Sequence, residues 1–241
     1  IDVNLELREG DFVTVIGGNG AGKSTLLNLI AGVSEVDSGR ILFDGIDVTD
    51  QKEHTRARHL GRVFQDPMLG TAANMEIEEN LALAFRRGSR RTLRWGITRD
   101  ERELYTKRLA AFDLGLETRL KSKVGLLSGG QRQALTLLMA TLTKPRLLLL
   151  DEHTAALDPK TARKVLDLTD EIVRRDGLTT FMVTHNMKEA IKGNRLIMST
   201  AVRIIYAVSG EEKQNLQVAD LMKKFENVNG EGVVNDRMLL G

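Results

Sequence analysis

Residues Gly17 to Thr25 read GGNGAGKST. They follow Phe12 to Ile16, a β-branched and aromatic run, and lead into Ser24 to Ile30, whose aliphatics fall at helical spacing. The order is strand, loop, helix. The stretch fits G-x-x-x-x-G-K-[ST], and a strand before it with a helix after it is the context in which this pattern binds the phosphates of a nucleoside triphosphate. Without a Cβ at Gly17, Gly18, Gly20 and Gly22, the backbone amides there and at Asn19 and Ala21 can turn toward a phosphate chain. Lys23 sets a point charge against the β and γ phosphates and Ser24 offers a hydroxyl to Mg2+. The helix that starts at Ser24 and Thr25 directs the positive end of its dipole at the same anions. The competing reading is a Gly-rich turn that binds nothing, and it leaves the flanking strand and helix unexplained.

The rest of the chain extends that beginning into an α/β pattern. Gly39 to Phe43 and Ile46 to Val48 flank Asp44-Gly45, a hairpin signal and hence a small antiparallel sheet. Arg62 to Phe64 continues as a strand. Helical stretches follow at Glu76 to Phe85, Asp100 to Phe112 and Gly130 to Thr141, so residues 76–142 form a helical block. Leu147 to Leu150 and Phe181 to Val183 read as fully buried strands around a helix from Pro159 to Arg175, which implies a mainly parallel sheet. Leu196 to Met198 and Val202 to Val208 suggest a closing hairpin, Leu216 to Phe225 a short amphipathic helix, and Asn227 to Gly241 a loose tail. The expected division is one domain, with a core of about 1–75 and 143–209, the helical subdomain 76–142, and a C-terminal segment 210–241.

Composition sets the outer limits. The 241 residues hold 41% hydrophobic and 28% charged side chains and only 3 Pro, a globular composition. No Cys is present, which excludes disulfides, thiolate metal sites and cysteine nucleophiles. Lys and Arg number 35 against 33 Asp and Glu, a formal charge of +2, too balanced for nucleic-acid binding by bulk charge. The longest aliphatic run, Leu147 to Leu150, falls far short of the roughly 18 to 20 residues of a membrane-spanning helix.

Leu147 to Leu150 also leads into Asp151-Glu152, two acids at the C-terminal edge of a buried strand, where open α/β sheets bind ligands. Asp151 suits a Mg2+ ligand acting through water, and Glu152 a general base that polarises the attacking water. The plainer reading is an Asp-Glu pair capping the next helix. Leu127 to Gln131 reads LSGGQ before a helix, so the Ser128 hydroxyl and the amides of Gly129 and Gly130 form either a simple cap or a second anion-binding helix end.

With GGNGAGKST, LSGGQ and LLLLDE in this order, the chain from about Ile1 to Tyr206 resembles the nucleotide-binding subunit of ATP-binding cassette (ABC) transporters of bacterial type. The resemblance implies a P-loop NTPase core with an antiparallel β subdomain and an inserted helical subdomain. It assigns Gln65, in RVFQDP, to the loop that touches the Mg2+ and attacking-water region. Ala156-Leu157-Asp158 falls to the loop crossing a dimer interface, and His185 to the contact with the γ-phosphate. It further implies ATP and Mg2+ as cofactors and a second ATPase subunit, identical or sibling. Each ATP would lie between Gly17 to Thr25 of one chain and Leu127, Ser128, Gly129, Gly130 and Gln131 of the other. Separate transmembrane permease subunits and a solute-binding protein complete the implied partners, with the chain cytoplasmic and peripheral on the inner face of the membrane.

Other features are less settled at this level. DEHTAALDP, with His153 where many relatives have Pro or Ser, resembles a subset of importers of amino-acid-like solutes; equally, residue 153 only has to fit beside the strand end. Arg86, Arg87, Arg90, Arg91, Arg94 and Arg99 surround Trp95, either a solvated loop or a patch suited to nucleic acid or, better, to anionic lipid headgroups. Ser199 to Arg203 lacks the Gly-containing turn of relatives, which leaves that hairpin turn open. The family's adenine-stacking aromatic falls upstream of Ile1. A chain starting there is expected to bind nucleotide more weakly by about 1 to 3 kcal/mol. The rival function is an ABC ATPase acting on nucleic acid or ribosomes, which would show coiled-coil insertions or paired cassettes that this sequence lacks. Glu152 and His185 argue against a module that binds without hydrolysing.

Overall fold

The computed structural model describes residues 3–18, 20–88, 96–200 and 203–229. Strand β1 (Phe12–Gly17) is buried throughout. It enters the Gly-rich loop and α1 (Lys23–Ala31), which starts at Gly22 and stops at Gly32, both left-handed with φ 80° and 75°. Only glycine takes those dihedrals without strain. Strands β2 (Leu42–Phe43) and β3 (Ile46–Asp47) form the antiparallel hairpin, with Asp44 and Gly45 at φ 51° and 77° as a primed turn requires. Helix α2 (Glu53–Arg56) and strand β4 (Leu60–Val63) follow. Arg56 is only 1% exposed. Its guanidinium donates to the carbonyls of Leu29 and Ile30, at the end of α1, and of Thr49 and Gln51. A cation at a helix C-terminus satisfies carbonyls that have no partner within the helix.

Helices α3 (Ile77–Phe85) and α4 (Arg99–Ala110) each begin with a capping box, Glu76 with Glu79 and Thr98 with Glu101. A 3-10 turn at Val124–Leu126 precedes α5 (Gly129–Thr141). Strand β5 (Leu147–Asp151) and α6 (Pro159–Asp176) come next, α6 opening with Asp158 as cap and Pro at its first position. The chain ends in β6 (Thr180–Thr184), α7 (Met187–Ala190), β7 (Arg195–Thr200), β8 (Arg203–Ser209), α8 (Gly210–Gln214) and α9 (Val218–Asn229). No helix among the described residues is long and apolar enough to cross a membrane.

The six-stranded sheet has the order β4-β5-β6-β1-β7-β8, parallel except for β8. Both faces are covered, as a parallel sheet requires. Leu148, Leu150 and Met182 face a cluster built with α3, α4, α5 and α6, while Leu147, Leu149, Phe181 and Val183 face one built with α1. The α/β class and the mainly parallel sheet agree with the sequence reading.

Two expectations are corrected at the C-terminal end. The last helix runs Val218–Asn229 instead of Leu216 to Phe225, so residues 227–229 of the expected loose tail are helical. A separate helix, α8, precedes it. The rest of the tail, 230–241, lies outside the described residues. At the closing hairpin the register shifts between Met198 and Ser199, and residues 201–202 lie outside the described residues.

Candidate functional site

Parallel strands put their C-terminal ends on one edge, and here β5, β6 and β1 are neighbours in that order. In register, Asp151 pairs with Val183 and Thr184 with Ile16. Glu152, His185 and the loop after Gly17 therefore emerge side by side. Gly17 lies against β7, where a Cβ would overlap the Ser199 carbonyl. Gly20 and Gly22 have φ 77° and 80°, which turns the loop back over the start of α1. Ala21 is buried and Ser24 and Thr25 are exposed. Asn19 lies outside the described residues.

Lys23 is 7% exposed, and its Nζ donates to the carbonyls of Gly17 at 2.8 Å and Gly18 at 3.0 Å. It stands 4.0 Å from Glu152 Oε1. The other carboxylate oxygen of Glu152 is 3.2 Å from His185 Nδ1. The hydrogen bond from His185 holds the Glu152 carboxyl below its ordinary pKa against the opposing effect of burial. The same bond raises the His185 pKa, also against burial, with further support from the charges of Glu152 and Glu189. Burial pulls Lys23 down, offset in part by Glu152 and Asp151. Charge-assisted contacts in a half-buried cleft favour an ionised carboxylate facing an imidazolium. Glu152 itself is left-handed, with φ 44°, an uncommon conformation for a non-glycine residue and one found at functional sites.

Asp151 turns the other way, its Oδ2 3.6 Å from Arg62 Nη2. Burial raises its pKa, with Arg62 opposing. Asp151, Arg62, Phe64 and the exposed Gln65 line a cavity of about 410 Å3. The metal donors expected from sequence are thus a carboxylate, the Gln65 amide oxygen and the Ser24 hydroxyl. These hard oxygens suit Mg2+, which commonly takes one or two protein ligands and fills its shell with phosphate and water. No cluster of three or more acidic, His or Cys side chains arranged for a metal occurs among the described residues.

Leu127 to Gln131 form a second group. Ser128 caps α5, its Oγ accepting from Gln131 N while the Gln131 side chain accepts from Ser128 N. Leu127 is buried, and Gly129 packs 3.6 Å from Leu157 when given a Cβ. Gly130 lies so close to α6 that a Cβ would overlap Thr161 Cγ2. Asp158 caps α6 by accepting from Thr161 N at 3.1 Å, and hydrogen bonding from the Thr161 side chain, then its backbone, lowers the Asp158 carboxyl pKa. LSGGQ and the Asp158 turn therefore adjoin. Among the described residues no hydrogen bond or ion pair joins this group to Lys23, Glu152 or His185.

Residue 153 is packed inside the molecule. His153 is 1% exposed, with Nε2 3.0 Å from Thr169 Oγ1, and burial pushes its pKa down to about 4. The described arginines of the basic segment are engaged as well. Arg86 and Arg99 pair with Glu101 and Glu103, and Arg87 donates to the Ala140 carbonyl. Arg90, Arg91, Arg94 and Trp95 lie outside the described residues. Residues the sequence reading passed over are Arg56, Arg62 and Glu189, each of which has a partner from a distant stretch of the chain, Leu29, Asn28 and Thr154 respectively, that no local pattern announces.

The family described as ABC transporter matches residues 1–155, more than half of the chain. The chain belongs to the ABC transporter family. A tyrosine transport ATP-binding protein of Clostridioides difficile is 46% identical over 226 residues, 93% of this chain and 90% of that protein. A methionine import ATP-binding protein of Rhizobium johnstonii is 36% identical over 208 residues, 84% of this chain. The chain spans 54% of that second relative's length. A dimeric bacterial ABC transporter cassette of known structure superposes with a TM-score of 0.74 at 30% identity, covering 86% of this chain and 89% of that one. A dimeric cassette in a post-hydrolysis state, bound to ADP and Pi, gives a TM-score of 0.74 at 29% identity, with 86% and 89% covered. As an ABC cassette the chain binds ATP and is an ATPase coupled to transmembrane transport.

Proposed function

We propose that this ATPase drives import of an amino-acid-like solute and that Lys23, Glu152 and His185 are its reacting centre. The observation that carries the site is the approach of Glu152 to both Lys23 and His185 at one strand edge. The tyrosine transport relative, at 46% identity, supports the solute class.

The assignment of roles follows from the geometry. The amides of the Gly17 to Thr25 loop and the Lys23 ammonium bind the phosphates and stabilise charge that develops on them. Ser24, Gln65 and Asp151 would hold Mg2+. Held there, it would supply positive charge to offset that of the phosphates. Glu152, with its lowered pKa, is free of a proton at neutral pH and so can take one from the attacking water. His185 faces Glu152 through Nδ1, which leaves Nε2 as a donor for a γ-phosphate oxygen.

Among the described residues, Leu127 to Gln131 and Asp158 make no hydrogen bond or ion pair with Lys23, Glu152 or His185. They serve the second ATPase subunit, which closes its own α5 N-terminus over the nucleotide. Transmembrane permease subunits, met at the inner face of the membrane, and a solute-binding protein complete the transporter.

Two measurements test the reading. Glu152→Gln should abolish ATP turnover and keep nucleotide binding; substantial remaining hydrolysis removes Glu152 from its role. In proteoliposomes holding the complete transporter, labelled tyrosine or methionine should accumulate with ATP. Uptake of sulfate or a polyamine instead would overturn the solute class.

A further inference from the structure

We infer that Glu189, on α7, is a positioning residue for hydrolysis: its buried carboxylate clamps the segment after Glu152 to the strand end before His185. This rests on the roles proposed above for Glu152 and His185. Glu189 is 7% exposed. Its Oε1 accepts the Thr154 hydroxyl, and its Oε2 accepts the Thr184 hydroxyl at 2.6 Å. Thr154 follows Glu152 by two residues, and Thr184 immediately precedes His185. Thr184 Oγ1 also accepts from Asn186 N at 3.0 Å, so its one proton is directed at Glu189.

The location gives the clamp a task the sheet cannot perform. The β5–β6 ladder ends at Asp151 and Val183, with one more bond from Glu152 N to the Val183 carbonyl. Beyond it, backbone pairing no longer sets the distance between the two segments, and Glu152 already holds a left-handed conformation. Glu189 supplies both missing anchors from one side chain. Helix α7 is itself fixed to β1, because the Thr14 hydroxyl donates to the Ala190 carbonyl at 2.7 Å. The clamp thus refers the Glu152 and His185 segments to the strand that carries the phosphate loop. A displaced base loses rate steeply, because a misplacement of about 1 Å costs on the order of 100-fold.

The test compares kcat, KM for ATP, nucleotide affinity and thermal midpoint in the purified full chain. Glu189→Ala should lower kcat by about 10- to 100-fold with KM and nucleotide affinity retained. Glu189→Gln can accept from Thr184 and donate to Thr154, so it should regain most of the lost kcat. Thr154→Val and Thr184→Val keep the side-chain shape and remove one arm each. Each should lower kcat, and neither should add to the loss already present in Glu189→Ala. Full kcat in all of these variants overturns the proposal, and so does a loss that disappears once rates are referred to folded protein. Glu152→Gln is measured alongside. If it stays active, the base assignment fails; if it is inactive while Glu189→Ala is fully active, only the clamp fails.

Discussion

Two helices in this chain begin at Gly-rich stretches, and they end up with opposite N-termini. Helix α1 starts from Gly22 with no side-chain cap and no acidic residue in its first turn. Helix α5 starts from Ser128, which closes a reciprocal capping box with Gln131. The first end leaves its amides to whatever anion arrives, with Lys23 folded beside them. The second satisfies itself while it waits, and to bind phosphate it must redirect the Ser128 hydroxyl. An uncapped helix end beside a buried lysine suits the phosphate binding within one chain proposed for it. A self-capped end packed against α6 suits a surface completed by a second subunit.

The largest expected effect lies on the α1 side. Lys23→Met should weaken ATP binding by about 10- to 100-fold, the range of charge-assisted hydrogen bonds, with little change in thermal midpoint. Calorimetric titration that showed equal affinity would erase the contrast between the two ends. On the α5 side, Gly130→Ala drives a methyl into Thr161 and should cost about 1 to 3 kcal/mol in denaturant unfolding. Pairing it with Thr161→Ser, which removes the overlapping methyl, should recover most of that loss.

Ser128→Ala should cost about 1 kcal/mol from the lost cap. It should leave nucleotide binding by the single chain intact and weaken ATP-dependent dimerisation, measured by light scattering. An effect on stability alone would reduce LSGGQ to a cap.

The smallest effect is electrostatic. The His185 pKa is raised by Glu152, so the stabilisation from this pair is complete below the unfolded value of about 6.5 and fades as pH climbs through the raised folded value. The wild type should exceed His185→Ala in stability by up to about 1 kcal/mol near pH 6, and by less near pH 8.5. A gap that widens toward alkaline pH would contradict the ion pair.

Much of the molecule was legible because its signals are local. Buried runs such as Leu147 to Leu150 mark strands, Asp44-Gly45 marks a hairpin, and Pro159 after Asp158 marks a helix start. The short helices α2, α7 and α8 were not legible, since four or five residues hold too few periodic positions to stand out. The end of α9 was misjudged for a similar reason: polar residues at Glu226 and Asn227 look like a stop, and the helix continues through them.

By itself the sequence determined which residues are proposed to carry the chemistry: the loop from Gly17 to Thr25, Asp151-Glu152 and His185 lie next to strand signals that place them at strand ends. Only the tertiary structure decided who meets whom. The order β5-β6-β1 inserts the strand of His185 between the other two, and this sets Glu152 beside both His185 and Lys23. Pairing between strands is a contact over long sequence separation, and hydrophobic strands of similar length do not encode their neighbours in local spacing. The same holds for Arg56, Arg62 and Glu189, since a polar side chain withdrawn from water is defined by the partners that satisfy it, and Leu29, Asn28 and Thr154 arrive from elsewhere in the chain.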